Sequence, residues 1–190
     1  MTDPAYSEKY TRLDFQQWDG NWELIKGSAY AMSPSSGYTH QYINGKIYRL
    51  LDEQLENCVQ CHAVIETDVE LSQDTVVRPD SMVICYEPEE RLTRSPELVF
   101  EVISPSTARR DELLKFELYQ TEGVKYYVLA YPENRKAKVF QLIEGKYRKL
   151  GDYSTETVTF QLTACHVDFD FNFIWRRQSN NSHGRARKHG

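Results

Sequence analysis

Residues 78–131, RPDSMVICYEPEERLTRSPELVFEVISPSTARRDELLKFELYQTEGVKYYVLAY, decide the fold. Pro79-Asp80 precedes a strand read at Ser81–Tyr86. Glu101 stands inside the run Leu98-Val99-Phe100-Glu101-Val102-Ile103, and Lys115 follows on a helix read from Ala108 to Glu122. The run from Leu98 to Ile103 is the most apolar in the chain, which marks a central strand covered on both faces. A carboxylate in such a strand is costly to bury unless it is paired, protonated or bound to a cation. Two acids and a lysine on adjacent elements point to a metal site.

If the strands carrying Asp80 and Glu101 pair, both carboxylates can converge on one hard cation, Mg²⁺ or Mn²⁺, and the backbone carbonyl of Val102 could supply a third oxygen. Asp111 and Lys115 are four residues apart and share a helix face with Leu114, Leu118 and Tyr119, which turns Lys115 inward. There it would orient or activate a water, or stabilise charge on a phosphate. Each residue also has a plainer reading. Asp after Pro is common in turns, Asp111 with Lys115 can be an ordinary surface ion pair, and Glu101 can be satisfied by backbone amides or a basic partner.

Working outward, Trp22–Ile25 and Ala29–Met32 read as strands about the turn Lys26-Gly27-Ser28, with a Ser, Pro and Gly-rich loop at 33–37. Ile43, Ile47, Leu50, Leu51 and Leu55 keep helical spacing across His40–Leu55. Val59–Ile65 reads as a strand, and Glu66, Asp68 and Glu70 alternate onto what is expected to be a solvated face. Ser104–Thr107 supplies N-cap hydroxyls for the helix that ends at Gly123. Tyr126–Tyr131 is a further strand, and Lys138–Ile143 with Tyr147–Leu150 forms a hairpin. The pattern is α/β: a central mixed β-sheet flanked by helices.

The chain has 190 residues, 40% of them hydrophobic, enough for one domain with a real core and too few to divide comfortably. One domain is expected over 1–175, with a basic, disordered tail at 176–190. The net charge is −5, from 28 acidic and 23 basic residues. The tail holds five of the basic ones (Arg176, Arg177, Arg185, Arg187, Lys188) and no acid, so the body carries 18 against 28, a net of −10. Broad, charge-driven nucleic-acid binding is therefore disfavoured, and any DNA contact must be local or metal-assisted. No run approaches a membrane span of about 20 apolar residues and no leader is evident, so a cytoplasmic protein is expected.

Four cysteines in such a chain read as reduced thiols rather than a disulfide frame. Cys58-Val59-Gln60-Cys61-His62 matches a haem c attachment pattern, but that chemistry needs export. A zinc site would need two more ligands, for which Cys165-His166 is the candidate pair. The plainer reading is two small residues entering a strand.

Trp22-Glu23-Leu24-Ile25-x-Gly27, Ser33-Pro34, His40-Gln41, Pro79-Asp80, Glu101-Val102-Ile103-Ser104-Pro105-Ser106, Asp111-x-x-x-Lys115, Tyr119 and Gly123-Val124-x-x-Tyr127 occur in this order. The set spans about Phe15 to Phe173. It resembles a large bacterial family of putative restriction endonucleases, long labelled a domain of unknown function, within the PD-(D/E)XK nuclease superfamily. The resemblance implies a restriction-endonuclease-like core, Asp80 and Glu101 as metal ligands, and Lys115 as the catalytic lysine. It implies Mg²⁺-dependent hydrolysis of DNA phosphodiester bonds, and a homodimer would bring two sites to two strands. His40 matches a family position without an assigned role.

The superfamily lysine usually stands two residues after the acid, a position held here by Ile103. Lys115 can substitute only if its side chain reaches back over Glu101. Two alternatives stand beside the nuclease: a catalytically silent binding or regulatory module of the same fold, and a metal-dependent hydrolase of a smaller phosphoester.

Overall fold

The computed structural model describes residues 8–32 and 37–176. In chain order it contains helix α1 (Arg12–Phe15), strands β1 (Trp22–Ile25) and β2 (Ser28–Ala31), helix α2 (Tyr38–Leu55), and strands β3 (His62–Ile65), β4 (Val69–Ser72), β5 (Thr75–Val77), β6 (Ser81–Ile84) and β7 (Leu98–Val102). A π-helical turn (Arg110–Lys115) then runs into α3 (Phe116–Thr121), followed by β8 (Tyr126–Tyr131), β9 (Lys136–Ile143), β10 (Lys146–Tyr153), β11 (Thr157–Gln161), β12 (His166–Asp170) and α4 (Phe171–Trp175).

The central sheet has the order β10-β9-β8-β7-β6-β3. Strands β7 and β8 pair in parallel, joined by the π turn and α3 as crossover, while β6 lies antiparallel to β7 with Ser81 opposite Phe100. The sheet is mixed, as the sequence implies, and β7 is buried at every position. Side chains alternate across a strand. Phe100 and Val102 pack with Ile47 and Leu51 of α2 and with Phe160 and Phe169 of the β11–β12 ribbon. Val99 points the other way, into a second cluster with Ile25, Val77, Leu118 and Tyr119. Each such side chain contributes about 1.5–3 kcal/mol by leaving water. Glu101 shares the parity of Val99, so it is driven into the second layer.

That layer contains a four-stranded sheet, order β2-β1-β5-β4, of which sequence periodicity foretells only the β1–β2 hairpin. The hairpin turns through Lys26 and Gly27 at φ 51° and 75°, the two-residue left-handed geometry that suits strand twist. Strand β5 is three residues long, too short for alternation to register, and its partner β1 is remote in sequence.

Several expectations need correction. The helix read as one element from Ala108 to Glu122 is interrupted by a π turn at Arg110–Lys115. The strand expected from Val59 starts at His62, because Cys58–Cys61 forms a turn closed by the Cys61 amide on the Cys58 carbonyl. The acids after β3 do not form a freely solvated face: Asp68 accepts two hydrogen bonds from Arg78, and Glu70 pairs with Arg12 and Arg91. The cysteines are not free thiols; Cys58 is bonded to Cys165 and Cys61 to Cys85. Thioethers to haem would need the Cys58 and Cys61 sulfurs that the two bridges occupy, and His166, on the surface beside Asp168, does not join Cys165 as a zinc pair. No helix among the described residues is long and apolar enough to cross a membrane. Ser33-Pro34 and the basic tail beyond Arg176 lie outside the described residues.

Candidate active site

A pocket of about 140 Å³ opens where the β6 entrance, the end of β7, the first turn of α2 and the π turn meet. His40, Asp80, Glu101, Arg110, Asp111 and Lys115 line it. The three residues singled out in the sequence are thus brought to one place. A larger pocket, of about 680 Å³, lies to the side among Phe15, Trp18, Trp22, Arg78 and Arg91 and contains none of these six.

Asp80 is fixed by backbone. Its Oδ2 accepts a hydrogen bond from the Val102 amide at 2.7 Å, which ties the β6 entrance to the end of β7 beside Glu101. The same oxygen lies 3.1 Å from His40 Nε2, presented by the first turn of α2. His40 Nδ1 is buried without a hydrogen-bond partner. Burial opposes a charge on this imidazole, but the hydrogen bond and charge of Asp80, with Glu66 and Asp111 behind it, outweigh burial and raise the His40 pKa above 6.5. One turn further along α2, the fully buried Asn44 accepts from the Ser81 hydroxyl at 2.6 Å and holds the residue after Asp80.

Lys115 reaches back over the sheet. Its Nζ stands 2.9 Å from Glu101 Oε1, 2.8 Å from Glu23 Oε1 and 3.7 Å from Asp111 Oδ1, with only 2% of the residue exposed. Asp111 and Lys115 are therefore not a surface ion pair. Their burial follows from the π turn, which changes the register of the helix face just before α3 and directs both side chains inward. Tyr119 adds a hydroxyl donated to Glu101 Oε1 at 3.2 Å.

Sequence reasoning missed Glu23 as a site residue. It lies on β1, fully buried, accepting from the Arg78 amide at 2.9 Å as well as from Lys115. Its Oε2 sits 3.4 Å from Arg110 Nε, close enough for an ion pair but not aligned as a hydrogen bond, so both atoms are buried without one. A signal was available: Trp22-Glu23-Leu24-Ile25 sets a carboxylate in an apolar strand, as the β7 run does for Glu101.

Glu23, Asp80, Glu101 and Asp111 are four carboxylates crowded around Lys115 and Arg110, while Arg78, which also lines the pocket, is held by Asp68. Burial raises the Glu101 pKa well above the carboxylate range despite Lys115, and the charges of Asp111, Asp80 and Glu23 add to the rise. Burial also raises Asp111. Lys115 responds oppositely: burial works against its charge, but Glu101, Glu23 and Asp111 together hold it as an ammonium, its pKa well above that of an ordinary lysine. Crowded carboxylate oxygens, with burial favouring a proton on Glu101, fit a divalent cation that would take the proton's place.

A family model described as "Uma2: Putative restriction endonuclease" matches residues 7–171. The chain belongs to the Uma2 family. Its fold agrees with that of a putative nuclease of the DUF820 group from Anabaena variabilis, with a TM-score of 0.72 over 87% of this chain and 97% of that one, at 13% identity. At that identity the likeness shows the fold alone, a mixed α/β nuclease-like core. A DrdV–DNA complex aligns over 60% of this chain and 12% of its own, with a TM-score of 0.31 and 11% identity, too slight a likeness to carry an argument. No functionally curated protein matches this Uma2 chain.

Proposed function

We propose that this Uma2 protein is a Mg²⁺- or Mn²⁺-dependent endonuclease that hydrolyses DNA phosphodiester bonds, with Asp80, Glu101 and Lys115 as its catalytic set. The observation that carries the reading is the fully buried Lys115 ammonium, 2.9 Å from Glu101, in a pocket that also contains Asp80. Asp80, Glu101 and the Val102 carbonyl would hold the cation. When bound, it polarises a phosphate and lowers the pKa of a water. Lys115 then faces the developing charge on the phosphoryl oxygens, or orients the attacking water, at a point from which bulk water is largely excluded. The Val102 amide fixes Asp80, and Tyr119 fixes the Glu101 carboxylate that Lys115 touches. A cytoplasmic setting and a homodimer presenting two sites to two strands belong to the same reading.

Calorimetric titration of Mg²⁺ and Mn²⁺ into the wild type and a Glu101→Ala variant, with plasmid cleavage followed on the same samples, tests it. Binding and nicking that both vanish in the variant are expected. A wild type that binds neither ion would leave a nuclease fold used for another purpose, and activity on small phosphoesters without plasmid cleavage would change the substrate class.

A further inference from the structure

All four cysteines converge beyond the C-terminal end of α2, on the face of the central sheet that α2 and the β11–β12 ribbon cover. Cys58 and Cys61 occupy the turn between α2 and β3, Cys85 follows β6, and Cys165 sits in the turn between β11 and β12. The sulfurs of Cys58, Cys61 and Cys165 all lie within 4.8 Å of one another, and Cys85 adjoins this group through its bond to Cys61. The β3–β6 register, with His62 opposite Ile84, continues by one pair to set Cys61 across from Cys85. Only Cys61 is fully buried; the other three are partly exposed at the edge of the main core.

We propose that these four cysteines are, in their reduced form, a tetrathiolate site for Zn²⁺. Two bridges with no functional relation have no need to touch, whereas four sulfurs from three chain segments, two of them in a Cys-x-x-Cys turn, form the donor set that structural zinc uses. A tetrahedral ion with Zn–S distances of about 2.3 Å needs sulfurs about 3.8 Å apart; those of Cys58, Cys61 and Cys165, within 4.8 Å of one another, are already gathered to that scale, and Cys85, next to Cys61, would swing in as the fourth once reduced. The disulfide and zinc forms exclude each other. Two equivalents of a dithiol reductant convert both disulfides to four thiols and become disulfides themselves; Zn²⁺ then binds the four thiolates with release of four protons. Either form fastens the β11–β12 ribbon to the end of α2 and the edge of the central sheet.

Co²⁺ serves as the spectroscopic probe, titrated anaerobically into the dithiol-reduced full chain. One equivalent is expected to bind with thiolate-to-cobalt charge transfer and intense tetrahedral d–d bands, and to be displaced by Zn²⁺. The Glu101→Ala variant is expected to give the same spectrum, which separates this site from the carboxylate pocket. Cys85→Ser and Cys165→Ser are each expected to weaken binding by more than about tenfold, since even losing the support of a ligand costs that much. If the reduced chain loses its circular dichroism, its recovery on adding Zn²⁺ supports the site and failure to recover overturns it. A folded, reduced wild type without charge transfer, or a Cys85→Ser variant that binds as the wild type does, would also overturn it.

Discussion

Glu23 and Lys115 meet at 2.8 Å across the seam between the four-stranded sheet and the π turn, and neither side chain is reached appreciably by solvent. They lie 92 positions apart in the chain, so the contact exists only through the tertiary fold. Removing one partner from such a buried network costs about 3–5 kcal/mol, because it leaves a charge without its counter-charge. Glu23→Ala should therefore lower the urea midpoint markedly with an unchanged slope. A variant as stable as the wild type would mean that Glu101 and Asp111 alone satisfy Lys115.

Lys115→Met makes the complementary change. Glu23, Glu101 and Asp111 then lose their shared ammonium; Arg110 still faces Glu23, and a divalent ion would have to offset the charge of the others. Cleavage is expected to fall by about 10²–10⁴-fold, the range for losing a positioned proton-transfer or charge-stabilising group. The stabilisation by saturating Mg²⁺, read as a rise in melting temperature, should be larger in the variant than in the wild type. If Mg²⁺ shifts neither protein, the carboxylates are not a metal site.

Why Glu101 was legible and Glu23 was not follows from locality. Glu101 stands in a five-residue buried strand whose parity alone sends it into the second layer. Glu23 has the same local signature, but its significance rests on β1 pairing with β5, a strand of three residues that periodicity does not reveal. The inward turn of Lys115 was legible from its spacing to Leu118 and Tyr119, though the π turn that completes it leaves no mark in an apolar pattern. The cysteine pairing was hidden for a similar reason: Cys58 and Cys165 are brought together only by the ribbon folding over the end of α2.

His40 should give stability a pH dependence of known sign. Its folded pKa is raised above the unfolded value of 6.5 by the hydrogen bond and charge of Asp80, which outweigh burial. The contribution is therefore full below about pH 6.5 and is lost as pH climbs through the raised folded value. The difference in urea midpoint between the wild type and His40→Ala should shrink from about pH 6 to about pH 9. A difference that stays constant over that range would show that the imidazole contributes packing only.

The two jobs of Asp80 can be separated by choice of substitution. As backbone partner it needs only an acceptor for the Val102 amide; as metal ligand it needs its charge. Asp80→Asn keeps an acceptor, and its stability should stay within about 1 kcal/mol of the wild type, whereas Asp80→Ala leaves the amide unpartnered at a cost of about 1–3 kcal/mol. Both should lose Mg²⁺ binding and plasmid cleavage, because a neutral side chain restores none of the charge the cation seeks. Denaturant midpoints read the first role and calorimetry the second. An Asn variant that binds Mg²⁺ as tightly as the wild type would reduce Asp80 to a fastening between β6 and β7 and leave Glu101 without its proposed partner at the cation.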